Sequence, residues 1–290
     1  LELWFILAIS VAFLWGVSQV FAKYSTVRLG VARVALLIAV VEGTMYSMAF
    51  LMWHQDVRIT IWDGVLAAGS CLVGILGYLF FFESLIDGQV AIAGTISAAY
   101  PVLTVLGAMM LISETVTTVQ AFGIILIVGG VVALSYEPDP TAKHAITKRS
   151  LTFAFLAFGA WGVWSLTSKM AVDIVGAGNM FGFYIISSLT APLIYAWVRR
   201  IRPPASVSAS PGRTAWAFGA IALMFNVGGA YAYTYALQEG SASLVVPTSS
   251  AYPIVTVVLA VLLLKEKIHR TQVLWLAGVL VGLILVGISV

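Results

Sequence analysis

Apolar residues in this chain arrive in unbroken blocks of about 20, the length that carries an α-helix across a bilayer, with short polar stretches between them. Strands of a membrane barrel would instead alternate polar and apolar over segments of roughly ten residues, and these blocks do not alternate. The pattern predicts ten helices, over 3–23, 31–53, 62–86, 88–112, 117–136, 151–172, 179–198, 215–238, 241–264 and 271–289. Most connections are so short that successive helices must run antiparallel. Gly88 and Gly240 punctuate two of the turns as helix stops. The longer polar stretches are 137–150 and 199–213, and neither has the length of a soluble domain.

The blocks repeat. "SAAYPVLTVLGAMMLI" at 97–112 returns as "SSAYPIVTVVLAVLLL" at 249–264, so that Tyr100-Pro101 maps to Tyr252-Pro253 at an offset of 152 (252 − 100). Ser97, Thr104, Glu114 and Gln120 map to Ser249, Thr256, Glu266 and Gln272 at the same spacing. Earlier, "WGVSQVFAK" at 15–23 returns as "WGVWSLTSK" at 161–169, an offset of 146 (161 − 15). A tandem duplication of this kind divides the chain into a five-helix repeat over 1–136, a connecting loop over 137–150 and a second five-helix repeat over 151–290. An odd number of spans per unit inserts the second upside down. The expected fold is therefore all-α integral membrane, ten transmembrane helices as two inverted five-helix repeats. Such repeats are a recurrent build of secondary transporters, with substrate near the midplane at their interface.

These motifs resemble the drug/metabolite transporter superfamily, and EamA-type exporters within it. The shared features are the duplicated ten-span plan, the Trp-Gly…Lys close of each repeat's first helix, and a proline-bearing fourth helix followed by a loop glutamate. The chain is further similar to YddG-like amino-acid exporters. The resemblance implies a basket whose cavity is lined by helices 1, 3, 4, 6, 8 and 9, with 5 and 10 outside. It also implies a multi-pass protein of the cell membrane, the inner membrane of a bacterium.

Composition agrees with the bilayer reading. The chain is 61% hydrophobic and 9% charged, against roughly a quarter charged in a soluble domain. Its single cysteine, Cys71, excludes a disulfide within the chain. The first block lacks a basic leader and shares Trp15 and Lys23 with the second copy, so it is expected to be retained rather than cleaved. The net charge of +3 speaks to loop placement more than to nucleic acid, which is not an expected partner. Lysines and arginines crowd the loops after odd-numbered helices. The positive-inside rule then puts those loops in the cytoplasm and both termini outside, whereas the resemblance implies termini inside.

Candidate chemistry lies inside the blocks. A proline removes one helical hydrogen bond and frees the carbonyl four residues back, here those of Ser97 and Ser249. In lipid such a carbonyl must face protein or a hydrated cavity, so Pro101 and Pro253 are expected to act as inward kinks or gates. Ser97 and Tyr100, with Ser249 and Tyr252, would share their face. Structural kinks without substrate contact are the alternative. Trp15 and Gln19, with Trp161, Trp164 and Ser165, offer indole faces to a cation and polar groups to a carboxylate; interhelical packing would use the same residues. Tyr78 is a further candidate on helix 3. In helix 8, Asn226, Ala230 and Tyr233 form one stripe and Gly228, Tyr231 and Tyr235 another, and only one can face the cavity. Asn226 and Tyr231 are the binding candidates, with interhelical hydrogen bonding the competing role for Asn226.

Unpaired charge inside a span costs about 2.5–3.5 kcal/mol on insertion scales, which singles out Glu42 and Glu83 as possible proton-coupling groups. Helix 2 is peripheral in the resembling family, which favours a structural role for Glu42 and makes Glu83 the better coupling candidate. Glu114 and Glu266 are expected to cap the helices that follow them. Gly74 with Gly77, Gly129 with Gly130, and Gly278 with Gly282 read as small-residue helix contacts, the last pair also as a possible dimer face.

The expected function is secondary-active export of small metabolites, most of all amino acids, by alternating access. The substrate would be small and polar or zwitterionic, and the other expected partners are lipid and, where export is coupled to a gradient, protons. No cofactor and no metal are expected, and one chain suffices because the fused repeat already holds both halves of a pathway. A multidrug or lipophilic-cation exporter would use the aromatics and a deep glutamate. A nucleotide-sugar or phosphorylated-sugar carrier should place lysines or arginines in the cavity. A membrane enzyme would need a positioned acid, base or metal cluster, yet His54, His144 and His269 are scattered in polar stretches and no H-E-x-x-H or P-loop motif occurs.

Overall fold

The computed structural model describes residues 2–86, 96–135, 147–201, 212–264 and 270–288. The chain is all helical there: α1 Leu3–Leu29, α2 Val31–Trp53, α3 Ile61–Ile86, α4 Tyr100–Leu111, α5 Thr118–Ser135, α6 Lys148–Val175, α7 Ala177–Ile201, α8 Arg213–Glu239, α9 Ala242–Ser249, α10 Tyr252–Leu264 and α11 Arg270–Ile288. Among the described residues eight helices are long and apolar enough to cross a membrane, and two shorter apolar ones, Ile96–Leu111 and Thr118–Leu134, accompany them. The molecule is a multi-pass membrane bundle. Gly88, Glu266, His144, His269 and most of the two long polar stretches lie outside the described residues.

Polarity is arranged for lipid. Ile6, Phe13, Met48, Leu51, Phe122, Ile125, Leu274 and Ile284 point outward, while Ser18, Glu42, Ser70, Thr104, Ser165 and Ser168 are buried. Hydroxyls bond across helices or back to their own carbonyls because the hydrocarbon offers nothing else. Ser18 Oγ donates to the Ala222 carbonyl at 2.8 Å, and Ser70 and Ser168 meet at 2.9 Å.

The most extensive pairings are α1 with α8, α3 with α6, α2 with α7, and α5 with α11. The first three are antiparallel: Trp4 sits against Gly240 and Ser25 against Gly219, Gly77 against Trp161 and Gly74 against Trp164, Gly43 against Leu189 and Gly182 against Phe50. The α5–α11 contact brings two backbones close together. A Cβ on Gly282 would lie 2.7 Å from the Gly123 carbonyl oxygen, whereas one on Gly278 meets nothing within 4 Å. Gly282 is thus used within the chain, on a helix pair that stands apart from the central cavity.

Three sequence expectations change. First, α1 runs past Lys23 and Arg28 to Gly30, and α6 runs past Lys169 to Gly176. Both glycines take a positive φ, 74° and 82°, which a side chain would resist. The polar ends read as loops are helical because they lie at the membrane edge, where charge does not end a helix. Arg28 packs its guanidinium on the Tyr24 ring.

Second, the prolines do more than kink. Each opens a new helix as its second residue, α4 after a turn at Ala99 and α10 after a turn at Ser250–Ala251. Tight three-residue bonds mark both breaks: Ala99 N–H to Ile96 O and Val102 N–H to Ala99 O, matched by Ala251 N–H to Thr248 O and Ile254 N–H to Ala251 O. Proline lacks the N–H a continuous helix needs but suits a first turn, where that N–H would be unpaired anyway.

Third, Glu114 does not cap the helix after it. Its two carboxylate oxygens accept from the Ala242 and Ser243 N–H groups at 2.8 Å each, at the N-terminus of α9. There the unpaired N–H groups and the helix dipole favour an anion. A loop carboxylate thus anchors the broken helix that leads to Tyr252.

Two outcomes follow for stability. Gly282→Leu lowers the melting temperature in detergent, at a cost of about 1–3 kcal/mol from overpacking, while Gly278→Leu leaves it unchanged. Glu114→Ala removes two charge-assisted caps and costs about 1 kcal/mol, read in the same melting assay.

Candidate functional site

A cavity of about 160 Å³ occupies the middle of the bundle. One water needs about 10–15 Å³ on this measure, so the space suits a solute of roughly ten non-hydrogen atoms. Its wall takes the second half of α1 (Trp15, Ser18, Gln19, Ala22, Ser25), the first two thirds of α2 (Val34, Ile38, Glu42, Tyr46) and α3 from near its middle onward (Cys71, Gly74, Tyr78, Phe81, Phe82). It also takes Tyr100 of α4, Trp161 and Trp164 of α6, Tyr184 and Ser187 of α7, Asn226 and Ala230 of α8, and Tyr252 of α10. The end of α1 meets the start of α8 and is joined to α2 through Gly30, so the lining reaches from mid-bundle toward one face only.

Aromatic rings fill the other face. Phe181 lies 5.0 Å from Tyr231, 6.0 Å from Trp53 and 6.1 Å from Tyr235, ring centre to ring centre. Beside them Lys169 Nζ donates to the Leu237 carbonyl at 2.8 Å and to Asp173 at 2.7 Å, binding α6 to α8. The cavity is a pocket reaching toward one side of the membrane and stoppered at the other.

Asn226 organises its polar wall. Its Nδ2 donates to Glu42 Oε1 at 3.0 Å, its Oδ1 accepts from Tyr78 OH at 2.8 Å, and its backbone carbonyl accepts from Trp15 Nε1 at 3.2 Å. One residue thereby ties α8 to α2, α3 and α1. The Tyr78 hydroxyl fixes which way the amide faces, and the amide's donor end is presented to the carboxylate. The competing roles of Asn226, interhelical bond and cavity wall, are both filled.

The indoles rest on glycines. A Cβ on Gly229 would come within 2.4 Å of Trp15 Cδ1, one on Gly77 within 2.5 Å of Trp161 Cδ1, and one on Gly74 within 2.6 Å of Trp164 Cδ1. Gly74 and Gly77 therefore seat rings rather than backbones. Tyr233 is fully buried, stacked on Trp164 at 5.1 Å and tilted against Trp15 at 5.4 Å.

Of the residues singled out in the sequence, Trp15, Gln19, Tyr78, Tyr100, Trp161, Trp164, Asn226, Tyr252 and Glu42 line the cavity. Others do not. Ser97 and Ser249 are buried away from the lining, because the breaks turn the tyrosines inward and leave the serines in the helix packing. Ser165 donates to the Trp161 carbonyl of its own helix at 2.8 Å. Tyr231 belongs to the aromatic stopper, its hydroxyl on the Met45 carbonyl. Pro101 and Pro253 shape the wall without forming it.

The two acids exchange their expected places. Glu42, on a helix expected to be peripheral, faces the cavity. Glu83 is held in an ion pair with Arg149 and accepts from Tyr195 OH at 2.9 Å, a clamp of α3, α6 and α7 near their ends. Sequence reasoning missed Tyr46, Tyr184 and Ser187, and with them the part played by α2 and α7. The signal available was Tyr46 one turn beyond Glu42. α5 and α11 contribute nothing to the lining.

A multi-pass bundle around a central pocket of rings with one polar cluster suits a membrane transporter, and known proteins agree. The chain matches the EamA-like transporter family over residues 2–136 and again over 148–288. It belongs to that family, whose members are transporters and not enzymes. Over 72 residues it is 39% identical to an uncharacterised protein of Methanocaldococcus jannaschii; this stretch is 25% of the present chain and 53% of the relative. The chain thus spans about half the length of that relative. One solved crystal structure superposes with a TM-score of 0.79 at 20% identity, covering 99% of each chain, a likeness of fold.

The Asn226 bridge can be measured. Asn226→Leu strands the Tyr78 hydroxyl and the Glu42 carboxylate, and destabilises by about 1–3 kcal/mol. Glu42→Leu added to it recovers part of that loss, so a double-mutant cycle in thermal melts returns a non-zero coupling.

Proposed function

We propose that the chain is a secondary-active exporter of small amine-bearing metabolites, amino acids among them, working by alternating access through this cavity. The observation that carries the reading is a pocket walled by matched residues of two repeats. Trp15 pairs with Trp161 and Tyr100 with Tyr252, and the pocket reaches toward one membrane face while rings stopper the other.

The wider architecture we propose is ten spans in two inverted five-helix repeats, over 1–136 and 151–290, with 137–150 between them. Local geometry supports it at the two sequence offsets. Gly30 and Gly176 end α1 and α6 with the same left-handed turn. Trp15 rests on Gly229 and Trp161 on Gly77. Thr256 Oγ1 reaches the Gly16 carbonyl at 3.2 Å, and Thr104 Oγ1 reaches Gly162 at 3.3 Å. First helices pair with the opposite repeat's third, as a two-fold axis in the membrane plane requires.

Glu42 is the group we assign to proton coupling, since it meets the pocket, and Glu83 has a structural part in its clamp. The described lining holds no lysine or arginine, which counts against a nucleotide-sugar or phosphorylated-sugar carrier. The same lining, with its deep acid and many rings, favours a second reading, an exporter of lipophilic cations. A YddG-like exporter of amino acids is the narrower form of the first.

Reconstitution in proteoliposomes tests both. Labelled amino acids, simple amines and a lipophilic cation are offered with and without a proton gradient. Saturable, gradient-dependent flux of one class is expected, and Tyr100→Ala or Tyr252→Ala lowers it about tenfold, near 1.4 kcal/mol, at unchanged protein abundance. Absence of flux for every class, with correctly folded protein, would falsify the transporter mechanism drawn here.

A further inference from the structure

The cavity's charge inventory is lopsided. Among its described lining residues Glu42 is the single acid, and no Lys, Arg or His accompanies it. Asn226 Nδ2 occupies Glu42 Oε1, and no ion pair to a cation is formed by this carboxylate among the described residues. Arg33 lies more than two turns away on the same helix. A carboxylate held out of water in this way calls for a cationic partner, and the pocket is where that partner can sit.

The rest of the wall suits the body of such a ligand. Indole and phenol rings of Trp15, Trp161, Tyr46 and Tyr252 surround the space, and their faces attract an ammonium group as well as stacking on an apolar or aromatic skeleton. A zwitterion fares differently. Its ammonium finds Glu42, but among the described lining residues its carboxylate meets neutral groups, Gln19 and hydroxyls among them, beside the Glu42 acid. Like charges in a poorly hydrated pocket repel strongly.

Resting on the transport reading above, and narrowing its substrate away from amino acids, we propose that the site selects carboxylate-free amines, monocations with an aromatic or apolar body, and seats their ammonium on Glu42. Asn226 and Tyr78 are positioning residues. The Tyr78 hydroxyl turns the Asn226 amide so that its N–H holds Oε1 and leaves Oε2 for the ligand.

Three probes of one skeleton separate charge from shape: phenethylamine, phenylalanine and 3-phenylpropionate, a cation, a zwitterion and an anion. Their binding to the full chain in lipid nanodiscs at neutral pH is read by quenching of tryptophan fluorescence and by calorimetry. Phenethylamine is expected to bind at least about tenfold tighter than phenylalanine, with phenylpropionate weakest. Glu42→Gln collapses the preference for the cation, and Tyr78→Phe reduces the ratio of amine to amino acid without removing binding. Phenylalanine binding as tightly as the amine overturns the proposal, as does a cation preference that survives Glu42→Gln. Should Glu42→Gln not fold, the wild-type ranking decides alone. Flux of other solutes with no binding of phenethylamine sinks the proposal and leaves the transporter standing. Tight amine binding without flux of any amine does the reverse.

Discussion

A carboxylate in the middle of a membrane bundle has to be answered from inside the protein, and here the answer to Glu42 is the amide of Asn226. That bond fixes more than one side chain. The amide is oriented by Tyr78, and the same residue's backbone takes the Trp15 indole. Four helices therefore meet at one polar point in a body whose outer surface is apolar. Remove the requirement to satisfy Glu42 and nothing holds this wall of the cavity polar.

The second constraint is the missing proline N–H. Pro192 and Pro247 are carried inside α7 and α9, whereas at Pro101 and Pro253 the chain ends one helix and begins another. Both proline sites do so with the same short-range bonds, and both thereby turn a tyrosine toward the pocket. The Glu114 carboxylate shows how the severed ends are kept. It reaches from the loop after α4 to the first N–H groups of α9, so that the broken helix leading to Tyr252 is capped by a distant segment of the chain. Short helices with capped, in-facing ends are the kind of backbone that a membrane tolerates only beside protein or a hydrated space.

The same packing gives the cavity its direction. Helix pairs cross antiparallel, and small residues admit rings at mid-bundle, whereas Trp53, Phe181, Tyr231 and Tyr235 close the far face. The Glu83–Arg149–Tyr195 clamp lies at the opposite ends of α3, α6 and α7 from this stopper. Charge thus holds helices together near both faces, through Glu83 with Arg149 at one and Lys169 at the other, and a single acid among the described lining residues meets the pocket.

Much of this was legible in the letters. Block length and the absence of alternation pointed to membrane helices, because a run of that length that does not alternate crosses hydrocarbon as a helix, whose backbone groups bond to one another. The doubled Tyr-Pro and Trp-Gly motifs identified part of the cavity wall, Trp15, Trp161, Tyr100 and Tyr252 included. What the letters could not rank were residues whose role depends on a neighbour far along the chain. Glu42 and Glu83 look alike as lone acids in apolar runs. Which is clamped by Arg149 and which meets the cavity is decided by how α2 and α3 rotate against α7 and α8. The stripe of α8 that faces inward, the ring seats on Gly77 and Gly229 and the remote cap from Glu114 are settled in the same way. Each is a contact between segments distant in sequence, and such contacts exist only once the helices have packed.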